Sequence, residues 1–87
     1  MPIDFNIIIL KEDNTNVSYC PELDVSSCGG TVEQAGNNLK TAVRLFLEEA
    51  EKMGTLNEIL EEARFKKDES DTWIPLRIVA TELASLT

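Results

Sequence analysis

"GGTVEQAGNNLKTAVRLFLEEAEKMG", Gly29 to Gly54, is the stretch that decides the fold. Two glycines allow a sharp turn, and Thr31 after them is a good helix N-cap. Gln34 stands three residues later, which completes the pattern of a capping box. Gly54 occupies the place where a glycine commonly closes a helix. The stretch therefore predicts one long helix between Thr31 and Gly54.

The predicted helix has an apolar stripe along one side. Its apolar residues recur at steps of three and four, as they do on one face of a helix. They are Val32, Ala35, Leu39, Ala42, Val43, Phe46, Leu47, Ala50 and Met53. Most charged residues fall between them. A helix of this kind can cover one face of a small sheet.

Three strands are predicted before the helix. Residues 3–11 alternate in character with period two, which indicates a strand, and we expect it to lie in the centre of the sheet. The turn formers of residues 12–16 join it in a hairpin to a second strand, Val17 to Cys20. Pro21 ends that strand because proline lacks a backbone donor. A short third strand then runs from Val25 to Cys28.

Residues 55–87 begin with a second capping pattern, which precedes a shorter helix. Thr55 and Glu58 match a second capping box, which predicts a short helix ending near Arg64. A polar loop, residues 66–71, precedes a final strand predicted from Leu76 to Leu83. The fold class is therefore α+β, with the order β-β-β-α-(α)-β and a three- or four-stranded sheet. We interpret residues 1–87 as one domain with a core in residues 3–54.

Composition limits the function classes. The 87 residues include 16 acidic and 8 basic side chains, which gives a net charge of −8. Such a surface repels nucleic acid and anionic lipid and attracts basic partners, so we expect no direct nucleic-acid binding. The first ten residues lack the basic start and long apolar core of a signal peptide. No apolar run approaches the length of a membrane span. These features predict a cytoplasmic protein with no membrane association.

Cys20 and Cys28 are expected to be reduced thiols. The chain has no histidine, so two thiolates cannot complete a typical zinc site within one chain, although a site shared across a dimer stays open. Cys28 lies near a predicted helix N-terminus, where a thiolate is favoured. The interpretation we favour is that both residues fill space in strands. The glycines before Thr31 lack the lysine and spacing of a P-loop. We therefore predict no metal and no cofactor.

Three carboxylates are candidates for a catalytic set. Asp4, Glu22 and Asp24 are the candidates for a metal-dependent nuclease of the RNase H type, which needs several acids at one end of a sheet. The pattern does not indicate that they converge. No histidine is present to act as a general base near neutral pH. We expect a protein that is not an enzyme.

The order of features from Tyr19 to Leu47 resembles the HicB-like antitoxin family. An aromatic residue and a proline-leucine turn precede a glycine and threonine that open a helix, and the preceding hairpin fits as well. The matching residues are Tyr19, Pro21, Leu23, Gly29, Thr31, Gln34, Ala35, Asn38, Ala42, Phe46, Leu47 and Glu48. The likeness covers about residues 3–53. Many members have Leu-Pro-Gly where this chain has Leu23, Asp24 and Val25.

The resemblance implies a partial RNase H-like fold without catalysis. It also implies binding to a HicA-type toxin, a small basic RNA-cleaving protein. An acidic chain suits such a partner by charge complementarity. Many members carry a C-terminal DNA-binding domain, and the residues after Gly54 do not match one. The alternatives are an interaction module without a toxin partner and, less favoured, the metal-dependent nuclease.

The surface for this partner is predicted from charge and expected exposure. The candidates are Glu22, Asp24, Glu48, Glu49 and Glu51. We also predict a homodimer or a higher oligomer, because the second sheet face, with Ile8 and Leu10, has no helix to cover it. The β-rich C-terminal segment could pair between subunits.

Overall fold

A computed structural model describes residues 2–87. The elements are β1 (Ile8–Glu12), β2 (Thr15–Cys20), β3 (Val25–Gly29), α1 (Val32–Lys52), α2 (Leu56–Glu62), β4 (Lys66–Lys67) and β5 (Trp73–Ile74). The first three strands form an antiparallel sheet in the order β1-β2-β3, and β4 pairs with β5. This confirms the α+β class, with a three-stranded sheet and a long helix over one face.

Two short hairpins set the register of the sheet. Asp13 and Asn14 join β1 to β2, and Asp13 has a φ of 53°, in the left-handed region that aspartate tolerates better than most residues. Residues 21–24 join β2 to β3. Ser18 faces Ile9 on one side and Ser27 on the other. The central strand is therefore β2, and the prediction that the first strand is central is wrong.

The sheet face under α1 carries small residues. Asn16, Ser18 and Cys20 are the buried side chains of β2, whereas Val17 and Tyr19 lie on the opposite face. The Ser18 hydroxyl finds no hydrogen-bond partner within residues 2–87. Small side chains let the helix approach the sheet closely. At Gly29 a Cβ atom would lie 2.6 Å from the backbone nitrogen of Ala35.

The buried stripe of α1 is narrower than the predicted one. Its buried residues are Ala35, Leu39, Val43, Leu47 and Ala50. Val32, Phe46 and Met53 are instead exposed. A helix of 21 residues is about 31 Å long, whereas strands of five or six residues extend about 17–20 Å, so the ends of α1 overhang the sheet. None of the helices in residues 2–87 has the length and apolar character needed to cross a bilayer.

Both ends of α1 are closed by local hydrogen bonds. The Thr31 hydroxyl accepts the Gln34 N–H at 3.0 Å, and the Gln34 side chain accepts the N–H of Gly30 at 3.1 Å, one residue earlier than in the usual box. At the other end Gly54 has a φ of 74°. The Thr55 N–H donates to the Ala50 carbonyl at 2.9 Å, which is the long hydrogen bond of a Schellman motif.

The start of α2 differs from the prediction. The Thr55 hydroxyl donates to the Ala50 carbonyl at 3.3 Å and does not cap the helix, and no hydrogen bond links Thr55 with Glu58. The Schellman turn before it holds Thr55 at a ψ of 2°, which is not the extended conformation of an N-cap. Leu56 and Leu60 still anchor α2 in the core, which also contains Phe65 and Trp73.

The first strand begins later than predicted, at Ile8. Residues 3–7 hydrogen-bond outside the three-stranded sheet. The Asp4 N–H donates to the carbonyl of Trp73 at 2.9 Å, and the Trp73 N–H donates to the carbonyl of Pro2 at 3.1 Å. This part of the chain therefore runs parallel to β5.

The predicted final strand from Leu76 to Leu83 is wrong. The last strand, β5, lies before Pro75, and residues 76–87 have no regular secondary structure and are exposed. A strand needs a neighbour for its backbone groups, and Pro75 supplies no donor where the ladder would continue. The Cα radius of gyration is 14.5 Å, against about 12 Å for a compact domain of this length. We call residues 76–87 the tail.

Candidate functional site: an acidic end and a groove

Glu22, one of the predicted partner-binding acids, is bound within its own chain. Its half-buried carboxylate accepts the backbone N–H of Asn6 at 2.6 Å and the side-chain amide of Asn6 at 3.2 Å. The same amide also donates to the carbonyl of Leu76 at 3.0 Å. Glu22 thus connects the β2–β3 turn to the N-terminal segment and, through Asn6, to the start of the tail. Its carboxylate is engaged in hydrogen bonds within the chain.

Asp24, the second predicted acid, holds Tyr19. The Tyr19 hydroxyl donates to the exposed Asp24 carboxylate at 2.9 Å. This hydrogen bond raises the pKa of Tyr19, because it is lost when the phenol ionises. Asp24 has a φ of 55°, so it also forms the turn between β2 and β3. Both predicted acids of this turn therefore stabilise the local structure.

Glu48, Glu49 and Glu51 lie exposed near the end of α1. Glu48 contacts Arg44 at 3.9 Å, an exposed ion pair of little energetic weight. On α2, Glu58, Glu61 and Glu62 are exposed as well, and Lys52 is the single basic residue between Glu48 and Glu62. We call these six glutamates the acidic end. The sequence prediction included three of them and missed the three on α2, although their charge was visible.

Most of the acidic end gains little from its place in the free chain, and only Glu58 lies in the first turn of a helix, α2, where the helix dipole favours an acid. Carboxylates near the C-terminus of α1 face the negative end of the helix dipole, which costs a few tenths of a kcal/mol for each. Glu58 and Glu62 are four residues apart on α2, and like charges at that spacing repel. Helix stability therefore accounts for Glu58 but not for the cluster of six acids as a whole.

A groove lies between α1 and the N-terminal segment. Its volume is about 300 Å³, and its apolar floor consists of Ile3, Phe5, Val43 and Leu47. The sequence patterns do not predict this groove. It exists because residues 3–7 turn away from the sheet toward Trp73, which periodicity does not predict.

The rim of the groove changes sign along α1. Lys40 and Arg44 line the half nearer the N-terminus of the helix, and Glu48 and Glu51 line the other half. Two cations and two anions make the rim electrically balanced. This distinguishes the groove from the rest of an acidic protein.

The two cysteines have different environments. Cys20 is fully buried, and burial raises the pKa of its thiol from the ordinary 9.0 to about 11, with the nearby Glu22 charge adding to the effect. Cys28 is exposed and faces Val17 across the strand pair. The interpretation that the thiols fill space holds for Cys20 and is wrong for Cys28.

The raised pKa of Cys20 makes stability depend on alkaline pH. The unfolded chain loses this proton near pH 9 and the folded chain only near pH 11, so the stabilisation is complete below pH 9 and is lost as pH rises. We expect the free energy of unfolding to fall by about 2 kcal/mol more in the parent than in Cys20→Ala between pH 8 and 11, measured by urea denaturation. Identical slopes for the two proteins would contradict this.

The glycine turn and two of the three candidate nuclease acids make hydrogen bonds within the chain. The Gly30 and Gln34 N–H groups, which an anion would need, already donate to side chains. Of the nuclease candidates, Glu22 is bound to Asn6 and Asp24 to Tyr19. No group of three or more His, Cys, Asp or Glu side chains in residues 2–87 is placed to hold a metal ion.

Comparison with known proteins adds no family to this geometry. Models of protein families, curated proteins and solved structures gave no significant match to the chain.

Proposed function

We propose that this protein is a non-catalytic antitoxin-like protein that binds and neutralises a small basic RNA-cleaving toxin. The observation that carries the proposal is the acidic end, where six exposed glutamates are accompanied by a single basic residue, Lys52. A partner that binds RNA needs a basic surface for the phosphates. The acidic end offers that surface an alternative set of anions.

The charges of the acidic end favour binding to a cationic partner more than they favour folding of the free chain. Acids that mildly oppose the dipole of α1 become favourable when a cationic surface neutralises them. The resemblance of residues 3–53 to HicB-like antitoxins supports the same kind of partner, a HicA-type toxin. It is also the basis for proposing a partial RNase H-like fold. The proposed cytoplasmic location rests instead on the composition of the first ten residues and on the shortness of the apolar runs.

Capture of the partner tests the proposal. The tagged protein is expressed in its native host, and co-purifying proteins are identified by mass spectrometry. We expect a small basic protein that cleaves RNA, and whose cleavage stops when an equimolar amount of this protein is added. A partner without RNA-cleaving activity would overturn the toxin assignment and support an interaction module of another kind.

Charge neutralisation tests the surface. The triple variant Glu49→Gln, Glu58→Gln, Glu61→Gln removes three acids that lie outside the groove. At about 0.5 kcal/mol each, the dissociation constant of the toxin complex should rise about tenfold at low salt, measured by calorimetry. The thermal midpoint should change little, because these side chains are exposed.

A charge-matched control separates the site from the overall field. Glu12→Gln, Glu33→Gln, Glu69→Gln lowers the negative charge equally at exposed positions outside the acidic end. We expect it to weaken binding by less than threefold. Equal losses in the two triple variants would show that the acidic end is not the binding surface.

A further inference from the structure

The tail carries large aliphatic side chains that are at least 40% exposed in the structure of residues 2–87. They are Leu76, Ile78, Val79, Leu83 and Leu86. The exposed fraction is 91% for Val79 and 101% for Leu83, so the middle of the tail makes almost no contact with its own chain. Contiguous exposed apolar residues of this kind typically mark a segment that binds another surface.

The tail and the groove have complementary charge patterns. Residues 77–82 read "RIVATE", with a cation, an apolar run and an anion. An extended chain spans about 16 Å from Arg77 to Glu82. Lys40 and Glu51 on the rim are separated by about the same 16 Å along α1. A tail running antiparallel to α1 therefore brings each of its charges to the oppositely charged half of the rim.

We propose that the tail of one copy of this protein lies in the groove of a second copy. Arg77 then contacts Glu48 and Glu51, and Glu82 contacts Lys40 and Arg44. The aliphatic side chains between them cover the apolar floor. This assigns both a site and its occupant to the predicted homodimer, and it does not depend on the proposed antitoxin function.

Charge and connectivity favour a second copy as the occupant. Two chains of net charge −8 repel each other, but this contact joins a balanced rim to a balanced segment. Asn6 holds the carbonyl of Leu76, and from Val79 onward the tail is exposed while the groove beside α1 stays open. Each copy has one tail and one groove, so a two-fold exchange fills both grooves and closes.

Charge reversal with trans-complementation tests the exchange. Arg77→Glu places a third anion beside Glu48 and Glu51 in the contact, and Glu51→Arg places two cations together. We expect the parent to be dimeric at micromolar concentration by light scattering, and each single variant to dissociate at least tenfold more readily. An equimolar mixture of the two variants should form heterodimers, because both of its contacts pair opposite charges.

The controls distinguish this contact from general charge effects. Lys11→Glu and Glu69→Arg make the same charge changes at exposed positions away from the groove, and they should dimerise like the parent. A monomeric parent would overturn the proposal, whether its tail were bound in its own groove or reserved for a different protein. A dimer that neither Arg77→Glu nor Glu51→Arg weakens, or variants whose mixture stays monomeric, would also overturn it.

Discussion

Replacement of Gly29 by alanine is expected to lower the free energy of unfolding by about 3 kcal/mol. A Cβ atom at this position would lie 2.6 Å from the Ala35 nitrogen and 2.9 Å from the carbonyl carbon of Gln34. Both are backbone atoms of α1, so no side-chain rotation relieves the clash. The first turn of the helix would have to move away from β3. Urea denaturation monitored by circular dichroism measures the loss.

Gly36 supplies the matched control. It lies inside α1, and a Cβ there meets nothing within 4 Å. Gly36→Ala should therefore stabilise the protein by about 0.5–1 kcal/mol, because alanine loses less conformational freedom in a helix. If Gly29→Ala were tolerated as well as Gly36→Ala, the close contact of α1 with β3 would be incorrect.

Truncation of Leu39 to alanine is the second large effect that we expect, with a loss of about 3–4 kcal/mol in the free energy of unfolding. Leu39 is a fully buried residue of α1 and belongs to the same core cluster as Cys20 and Val43. Removing its side-chain carbons forfeits their burial and leaves a cavity. The same denaturation experiment gives the value.

Leu45→Ala makes the identical chemical change on the same helix. Leu45 is 56% exposed, so we expect a loss below about 1 kcal/mol. Similar losses at the two positions would mean that α1 faces the sheet with a different side. Small domains have a total stability of only about 5–15 kcal/mol, so Leu39→Ala removes a large part of it.

The long helix could be predicted from sequence because its determinants are local. Thr31, Gln34 and Gly54 act within one turn of the helix end that each closes, and the apolar stripe repeats along the chain. The same local rules failed at Thr55, because the Schellman turn that ends α1 already determines its conformation. The signal that ends α1 and the signal that would start α2 overlap at Thr55, and the signal that ends α1 determines its conformation.

The candidate site was less predictable. The excess of glutamates near Glu48, Glu49 and Glu51 was visible as charge, and their exposure follows from positions between the buried residues of α1. The structural role of Glu22 was not predicted, because the residue that it binds, Asn6, is sixteen residues away in the sequence. The charge of a carboxylate indicates that it needs a partner. Only the folded chain decides whether that partner is an amide of the same chain or another protein.

By itself, the sequence determined the α+β class, the hairpins and the helix α1, since these depend on turn residues, caps and periodicity over a few neighbours. Only the tertiary structure decided which strand is central, where the first strand begins and that residues 76–87 remain outside the sheet. A strand is defined by the hydrogen bonds of a neighbour that can lie far away in sequence. The groove beside α1 depends on the same long-range pairing, between the N-terminal segment and Trp73.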